Sequence, residues 1–185
     1  MKVSPTSIDG VLVIEPDVFS DNRGYFFESY NQKKFAENGI NNVFIQDNES
    51  FSSYGTIRGL HCQLGEFSQA KLVRVISGKV LDVAVDVRPG SPTYGKHVSV
   101  ELSGENKRQF FIPRDFLHGF AVLSPYAIFA YKVDNVYNKA SEFGIRYDSP
   151  EINVNWGIPA DKIITSEKDR LAHTLADLQK RQRGW

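Results

Sequence analysis

From Leu81 to Val87 every odd position is apolar, while the even positions hold Asp82, Ala84 and Asp86. A period of two predicts a strand with two differently clothed faces. Two neighbouring segments also read as strands: Thr56 to Gln63, carrying Arg58 and His61, and a segment that begins at Lys71 and ends at the Ser77-Gly78-Lys79 turn. Ionisable side chains thus project repeatedly from one side of a β scaffold. That arrangement predicts a polar interior suited to binding.

The rest of the chain reads as short elements between turn signals. Val11 to Ile14 is an opening strand stopped by Glu15-Pro16, and Asp21-Asn22-Arg23-Gly24 is a turn into a strand from Tyr25 to Tyr30. Asn31 caps a short helix, Gln32 to Glu37, which ends at Asn38-Gly39. Val43 to Asn48 is extended, with Gln46 and Asn48 on one face, and the serines of 50–53 with Gly55 turn the chain. Beyond Pro89-Gly90-Ser91-Pro92 come strands at His97–Leu102, Gln109–Ile112, His118–Leu123 and Ala127–Val133. This turn spacing belongs to an all-β sandwich or barrel, not to βαβ units. A single domain, 1–185, is expected, because the chain is long enough for one core and shows no linker or repeat. Its tail, about 166–182, reads as a helix opened by Ser166 and Asp169, striped by Leu171, Leu175 and Leu178, and closed by Lys180, Arg181 and Arg183.

Composition narrows the function. The chain has 22 basic and 22 acidic residues, which gives no support to a nucleic-acid or membrane role. The lone Cys62 excludes an internal disulfide framework and fits a reducing compartment. No apolar run reaches the length of a membrane span, and Asp9, Glu15 and Asp17 interrupt the region where a signal peptide needs an apolar core. The expected location is the cytoplasm.

Two histidines on neighbouring β segments, His61 and His118, raise the question of a metal. A metal-binding segment of this kind usually offers His-x-His with a carboxylate, whereas here Gln63 holds the second position and is a poor ligand. Glu66 would add one oxygen at most. Use of the imidazoles without a metal is the favoured reading, since histidine titrates nearest neutral pH. Proton transfer needs an acid and a base on a rigid frame: His61 suits the base, Tyr131 the acid, and Lys71 a cation facing a developing oxyanion. Each also has a structural reading, as a hydrogen-bonded strand histidine, a core tyrosine and a solvated lysine. Asp169, third helical residue after Ser166, is explained by a capping box alone. Spacing by itself stops at a β-barrel with a polar cavity.

In order along the chain stand Asp21-Asn22-Arg23-Gly24-Tyr25-Phe26-Phe27-Glu28, Gln46-Asp47-Asn48, Ile57-Arg58-Gly59-Leu60-His61-Cys62-Gln63, Lys71-Leu72-Val73-Arg74-Val75 and Asp82-Val83. Gly90-Ser91-Pro92-Thr93-Tyr94-Gly95, Ile112-Pro113, His118-Gly119-Phe120, Tyr131-Lys132 and Ser166-Glu167-Lys168-Asp169 follow. Together they resemble the dTDP-4-dehydrorhamnose 3,5-epimerase family over roughly residues 8–170. The resemblance implies a cupin-like β-jelly roll that uses no metal or cofactor and forms a homodimer with exchanged N-terminal strands. Its substrate would be dTDP-4-dehydro-6-deoxy-D-glucose, inverted at C3 and C5. By resemblance His61 is the base, Tyr131 the acid, Asp169 the carboxylate that orients His61, and Lys71, with His118 nearby, the stabiliser of the enolate oxygen.

The resemblance also assigns Arg23 and Arg58 to the diphosphate, where a guanidinium fork suits phosphate oxygens. Glu28, Gln46, Asp47 and Asn48 would meet the thymidine side and Tyr137 would stack on thymine, with Phe19 and Phe26 enclosing it. Glu142 and Lys168 would be further substrate contacts. Arg23 and Glu28 would serve the partner's active site. Strand parity places His61 with Gly59 and Gln63, but Arg58 falls on the opposite face and needs a bulge near Gly55 or Gly59 to join them. Departures from the family pattern are Cys62 for an aromatic, Asp115 for a turn glycine, His97 for a tryptophan and the Trp156-Gly157-Ile158-Pro159 break. The rival readings are an epimerase acting on one carbon or on another nucleotide 4-ketosugar, a non-catalytic sugar-nucleotide cupin, and a metal-dependent cupin enzyme.

Overall fold

The structure is a computed structural model that describes residues 1–183. In chain order it opens with β1 (Lys2–Pro5), β2 (Leu12–Glu15), the hairpin β3 (Phe19–Asp21) and β4 (Gly24–Phe26), and helix α1 (Gln32–Glu37). Then come β5 (Gln46–Ser53), β6 (Ile57–Gln63), β7 (Lys71–Ser77), β8 (Lys79–Asp86), β9 (His97–Ser103) and β10 (Gln109–Ile112). The chain continues through β11 (Phe116–Val122), β12 (Tyr126–Val133), β13 (Glu142–Gly144), α2 (Glu167–Arg170) and α3 (Leu175–Arg183). A six-stranded sheet has the order β1-β2-β10-β7-β12-β5, and a five-stranded sheet the order β13-β6-β11-β8-β9. From β5 onward the chain passes back and forth between the two sheets, as the expected jelly roll requires.

The alternation seen in the sequence decides the layering. On β8, Val80 and Ala84 face the space between the sheets, where they pack with Val73, Phe110, Phe120 and Phe129. Val83, Val85 and Val87 face the other way and are covered by Phe143, Trp156, Leu175 and Leu178 from the C-terminal region. A third cluster, around Ile14, Leu72 and Phe111, lies on the outer face of the six-stranded sheet beneath Phe35 of α1 and Ile40. Each fully buried aliphatic or aromatic side chain is worth roughly 1.5–3 kcal/mol, so these layers hold the sandwich together. The middle layer fills only part of the gap. The remainder is the cavity described below.

Four sequence expectations change. The serines of 50–53 are not a turn: β5 runs to Ser53, and its inward-facing Ser50 and Ser52 pair with Phe129 and Ala127 of β12. The strand expected over 25–30 ends at Phe26. There the chain leaves the hairpin to set Phe27 under Arg74. The extended stretch from Val43 joins the ladder at Gln46. The C-terminal helix is two helices, because His173 leaves the helical path to hydrogen-bond Gly144 and Arg146. Thr174 and Asp177 then form a reciprocal cap for α3. Leu171, expected in the apolar stripe, sits in the break and is 72% exposed. Among the described residues no helix is long and apolar enough to cross a membrane.

Candidate active site

A cavity of about 540 Å³ opens between the sheets, and His61, Lys71, His118, Tyr131, Arg58 and Asp169 all reach it. His61 and His118 come from β6 and β11 of the five-stranded sheet, where they are direct cross-strand neighbours. Tyr131 and Lys71 come from β12 and β7 of the six-stranded sheet. The two groups of side chains therefore stand on opposite walls.

Arg58 joins His61 by the irregularity that parity demanded. Phe120 pairs with Arg58 and His118 with His61, so two steps on β11 match three on β6. The extra residue is accommodated at Gly59, whose φ is 118°. A Cβ there would lie 2.6 Å from both Gly119 Cα and His118 O, so only glycine lets the strands approach. Arg58 is held by Ser52 Oγ at 3.0 Å and by the Phe51 carbonyl at 3.3 Å.

Only half of the expected capping box forms at Asp169. Ser166 Oγ accepts from the Asp169 backbone N–H at 3.1 Å, which is the N-cap of α2. The Asp169 carboxylate does not return to the cap. Oδ1 lies 2.5 Å from His61 Nε2, and Oδ2 accepts from Gly59 N–H at 3.5 Å. An ionised carboxylate only accepts, so Nε2 carries the proton and Nδ1 is left as the basic nitrogen. Although burial opposes it, the hydrogen bond from His61 and its neighbours hold Asp169 below the usual carboxylate range.

His118 is nearly inaccessible, and its Nε2 lies 3.0 Å and 3.1 Å from the two Asp82 oxygens. Burial pulls its imidazole below the ordinary histidine value, so it stands neutral with its one N–H spent on Asp82. It therefore walls the cavity rather than offering a free donor. Asp115, where a turn glycine was expected, has φ 64°. That is the conformation in which glycine is usual and Asp is tolerated. Its N–H donates to Ser68 Oγ at 2.9 Å. Lys71 pairs with no carboxylate among the described residues, and burial lowers its ammonium below the usual lysine range. Burial raises the Tyr131 phenol, which keeps its proton at neutral pH.

A second compartment of about 360 Å³ shares His61, Lys71 and Tyr131 with the first and adds Gln46, Asn48, Gln63, Tyr137 and Glu142. Gln46 Nε2 donates to Asn48 Oδ1 at 2.8 Å. Tyr137 O–H donates to Glu142 Oε2 at 3.0 Å, and Lys168 Nζ lies 2.6 Å from the same oxygen.

Five predicted residues are not brought to this cavity within one chain. Asp47 points to the opposite face of β5, because the period of two separates it from Gln46 and Asn48, and it pairs there with Lys132 at 2.7 Å. Glu28 pairs with Lys34 at 2.9 Å. Phe19, Arg23 and Phe26 stand on the β3–β4 hairpin around a separate surface depression, where Arg23 is held by Asp21 at 2.5 Å. Sequence reasoning missed Ser50, Phe120, Phe129 and Thr165, which also line the main cavity. Inward parity with Tyr131 was the available signal for Phe129, and cross-strand pairing with Phe129 places Ser50. Gln63 Oε1 accepts from the Asn138 N–H at 2.9 Å, and the described residues contain no group of three or more His, Cys, Asp or Glu side chains placed to hold a metal ion.

Comparison with known proteins gives a consistent result. A family model described as dTDP-4-dehydrorhamnose 3,5-epimerase matches residues 5–177. A dTDP-4-dehydrorhamnose 3,5-epimerase of Shigella flexneri is 52% identical over 170 residues, 91% of this chain and 93% of its own. The crystal structure of a dTDP-6-deoxy-D-glucose-3,5-epimerase from Legionella pneumophila, in complex with dTDP-4-keto-L-rhamnose, matches with a TM-score of 0.91 at 48% identity. That match covers 95% of this chain and 93% of the other. A dTDP-4-dehydrorhamnose 3-epimerase of Streptomyces niveus is 35% identical over 178 residues, 96% of this chain and 85% of its own.

Proposed function

The chain belongs to the dTDP-4-dehydrorhamnose 3,5-epimerase family, and from that premise we propose how its residues invert C3 and C5 of dTDP-4-dehydro-6-deoxy-D-glucose. The product is dTDP-4-dehydro-L-rhamnose, on the way to dTDP-L-rhamnose. One observation carries the mechanism: the His61 imidazole, held by Asp169, and the Tyr131 phenol line a single cavity from opposite sheets.

The C4 ketone acidifies the C–H bonds at C3 and C5. His61 Nδ1 takes the proton from one face of the sugar, and the C–H electron pair moves into the C4 carbonyl as an enolate. Asp169 stabilises the imidazolium that forms. Lys71, a part-buried cation with no carboxylate partner among the described residues, faces the enolate oxygen, an effect that in other enzymes amounts to roughly 3–4 kcal/mol per donor. Tyr131 returns a proton to the opposite face, and the carbon is inverted. Both groups must then exchange with solvent before the second carbon reacts.

The nucleotide spans both compartments: Gln46 and Asn48 lie toward the thymidine side and Tyr137 stacks on the base in the adjoining one, while Arg58 and Lys168 reach the diphosphate from the main cavity. Arg23, Phe19 and Phe26 act in a second copy's site, delivered by the hairpin in a homodimer, and Glu28, two residues beyond the hairpin, reaches the same site. What supports this is their exposure: Phe19 and Phe26 are 65% and 70% exposed, while Phe27 lies under Arg74 of its own chain. Only the hairpin would be exchanged, because β1 and β2 belong to their own sheet. The chain works as one domain, and its lone buried Cys62 and balanced charge suit the cytoplasm.

The test is incubation with dTDP-4-dehydro-6-deoxy-D-glucose in deuterium oxide, followed by proton NMR and mass. Deuterium at both C3 and C5 is expected. Label at one carbon only would favour the mono-epimerase reading that the Streptomyces niveus relative suggests. His61→Asn should abolish exchange in a folded protein, and near-normal exchange in that variant would remove His61 as the base.

A further inference from the structure

Behind His61 lies a third compartment, of about 310 Å³, lined by Gly144, Leu171, Ala172, His173 and the Glu142–Lys168 pair. His61 is the one described residue that borders this space, the main cavity and the second compartment alike. Gly144 stands directly opposite His61 in the β13–β6 ladder. It is an ordinary strand residue, without the positive φ that calls for glycine. What its missing side chain leaves is room. A Cβ there would lie 3.3 Å from His61 Cδ2, closer than to Ala172 Cβ or the Leu60 carbonyl oxygen, each 3.5 Å away. The wall itself is fixed, because Ile145 exchanges hydrogen bonds with Leu60 at 2.9 and 3.2 Å and the Gly144 carbonyl accepts from the His173 N–H at 3.0 Å. The group free to use the gap is the imidazole, whose side chain is 29% exposed and tied at Nε2 to Asp169.

Two inversions ask more of the base than one. In dTDP-4-dehydro-6-deoxy-D-glucose the hydrogens on C3 and C5 point to the same face, and the two carbons stand about 2.5 Å apart, the span of two C–C bonds. One imidazole must therefore meet two centres farther apart than the ~1 Å misplacement that costs a catalyst about 10²-fold. With Nε2 held, a turn of the ring in its own plane that carries Nδ1 along the sugar also carries Cδ2 toward or away from Gly144. We propose that the gap kept by Gly144 lets the His61 imidazole draw back between the two proton abstractions, so that Gly144 sets whether one carbon or two is inverted. The proposal rests on the epimerase reading of the main cavity.

Gly144→Ala narrows the gap by a single methyl group, which a strand backbone accepts. Deuterium incorporation from deuterium oxide is followed separately at C3 and C5 by proton NMR, with folding checked by melting. The first carbon to exchange should keep its native rate within a few-fold. The second should slow by about 10- to 100-fold, and the singly inverted sugar should accumulate. Ala172→Val fills the same gap from the other side and should shift the ratio of the two rates in the same direction. Rates that fall equally at both carbons in the folded variants overturn the proposal, because the glycine then only places the base. An unchanged ratio in both folded variants overturns it too. Label at one carbon only in the native chain overturns it without any variant, while leaving a mono-epimerase. No exchange at either carbon in the native chain would instead remove the epimerase reading on which the proposal stands.

Discussion

Burial of Lys71 lowers its ammonium pKa, and the charges of Asp82 and Glu142 only partly offset it. Between that lowered value and the ordinary one near 10.5 the unfolded chain binds more protons than the folded one, so stability rises with pH across the window and the charged amine is a liability at neutral pH. Lys71→Met should therefore raise the melting temperature while cutting exchange about 10²- to 10³-fold, as loss of an oxyanion partner does. A fall in both would show that Lys71 is structural. His118 works with the same sign: its folded pKa lies below 6.5, so neutral imidazole supports the fold above that pH and stability declines as pH drops below it. Asp169 runs the other way in origin, since its depressed pKa supplies stability above about 3.8 that is lost as pH falls through the folded value. Asp169→Asn keeps the backbone N–H that Ser166 caps. Its rate should drop roughly 10²-fold or more, with less than the ~1 kcal/mol of stability that a lost cap costs. Melting and single-turnover exchange on the same preparation separate the two.

At the scale of elements, the β6 bulge decides whether phosphate and sugar chemistry share one cavity. Gly59→Ala would press a methyl on to Gly119 and the His118 carbonyl at 2.6 Å. The expected result is about 1–3 kcal/mol of destabilisation, the usual range for overpacking, together with a raised KM as Arg58 shifts relative to His61. Urea unfolding and steady-state kinetics read the two effects. This bulge was legible in the sequence, because parity put Arg58 and His61 on opposite faces while chemistry wanted them together. The core strands were legible for a simpler reason: period two and a buried face coincide in β8 and β12. What failed did so where local and tertiary signals diverge. Ser50 to Ser53 look like a turn because a strand facing a polar cavity on one side and solvent on the other carries no apolar alternation. The break at His173 is imposed by pairing with Gly144 and Arg146, a contact between distant residues that helical periodicity does not report. Asp47 sat inside a motif whose neighbours do line the site, and only the alternation of β5 shows that it points away.

For the molecule as a whole, the question is whether one chain can hold a complete site. It carries His61, Tyr131 and Lys71, the proposed base, acid and enolate cation, yet Arg23, Phe19 and Phe26 are displayed on a hairpin apart from that cavity. An exposed aromatic hairpin is a poor feature for a monomer, and β5 leaves an unpaired strand edge beside the site. If the hairpin serves a second copy, two defects placed on different chains should complement. Arg23→Ala alone should weaken substrate binding, and His61→Asn alone should abolish exchange. Mixing the two variants and allowing subunits to redistribute creates heterodimers in which one site holds both defects and the other holds neither. With equal amounts and random pairing, half the dimers are mixed and each contains one intact site, so activity should recover to roughly a quarter of that of the native protein. Recovery should follow subunit exchange in time, and light scattering should report a dimer throughout. If Arg23 acts within its own chain, every chain in the mixture carries a defective site and activity never exceeds the average of the two variants measured alone.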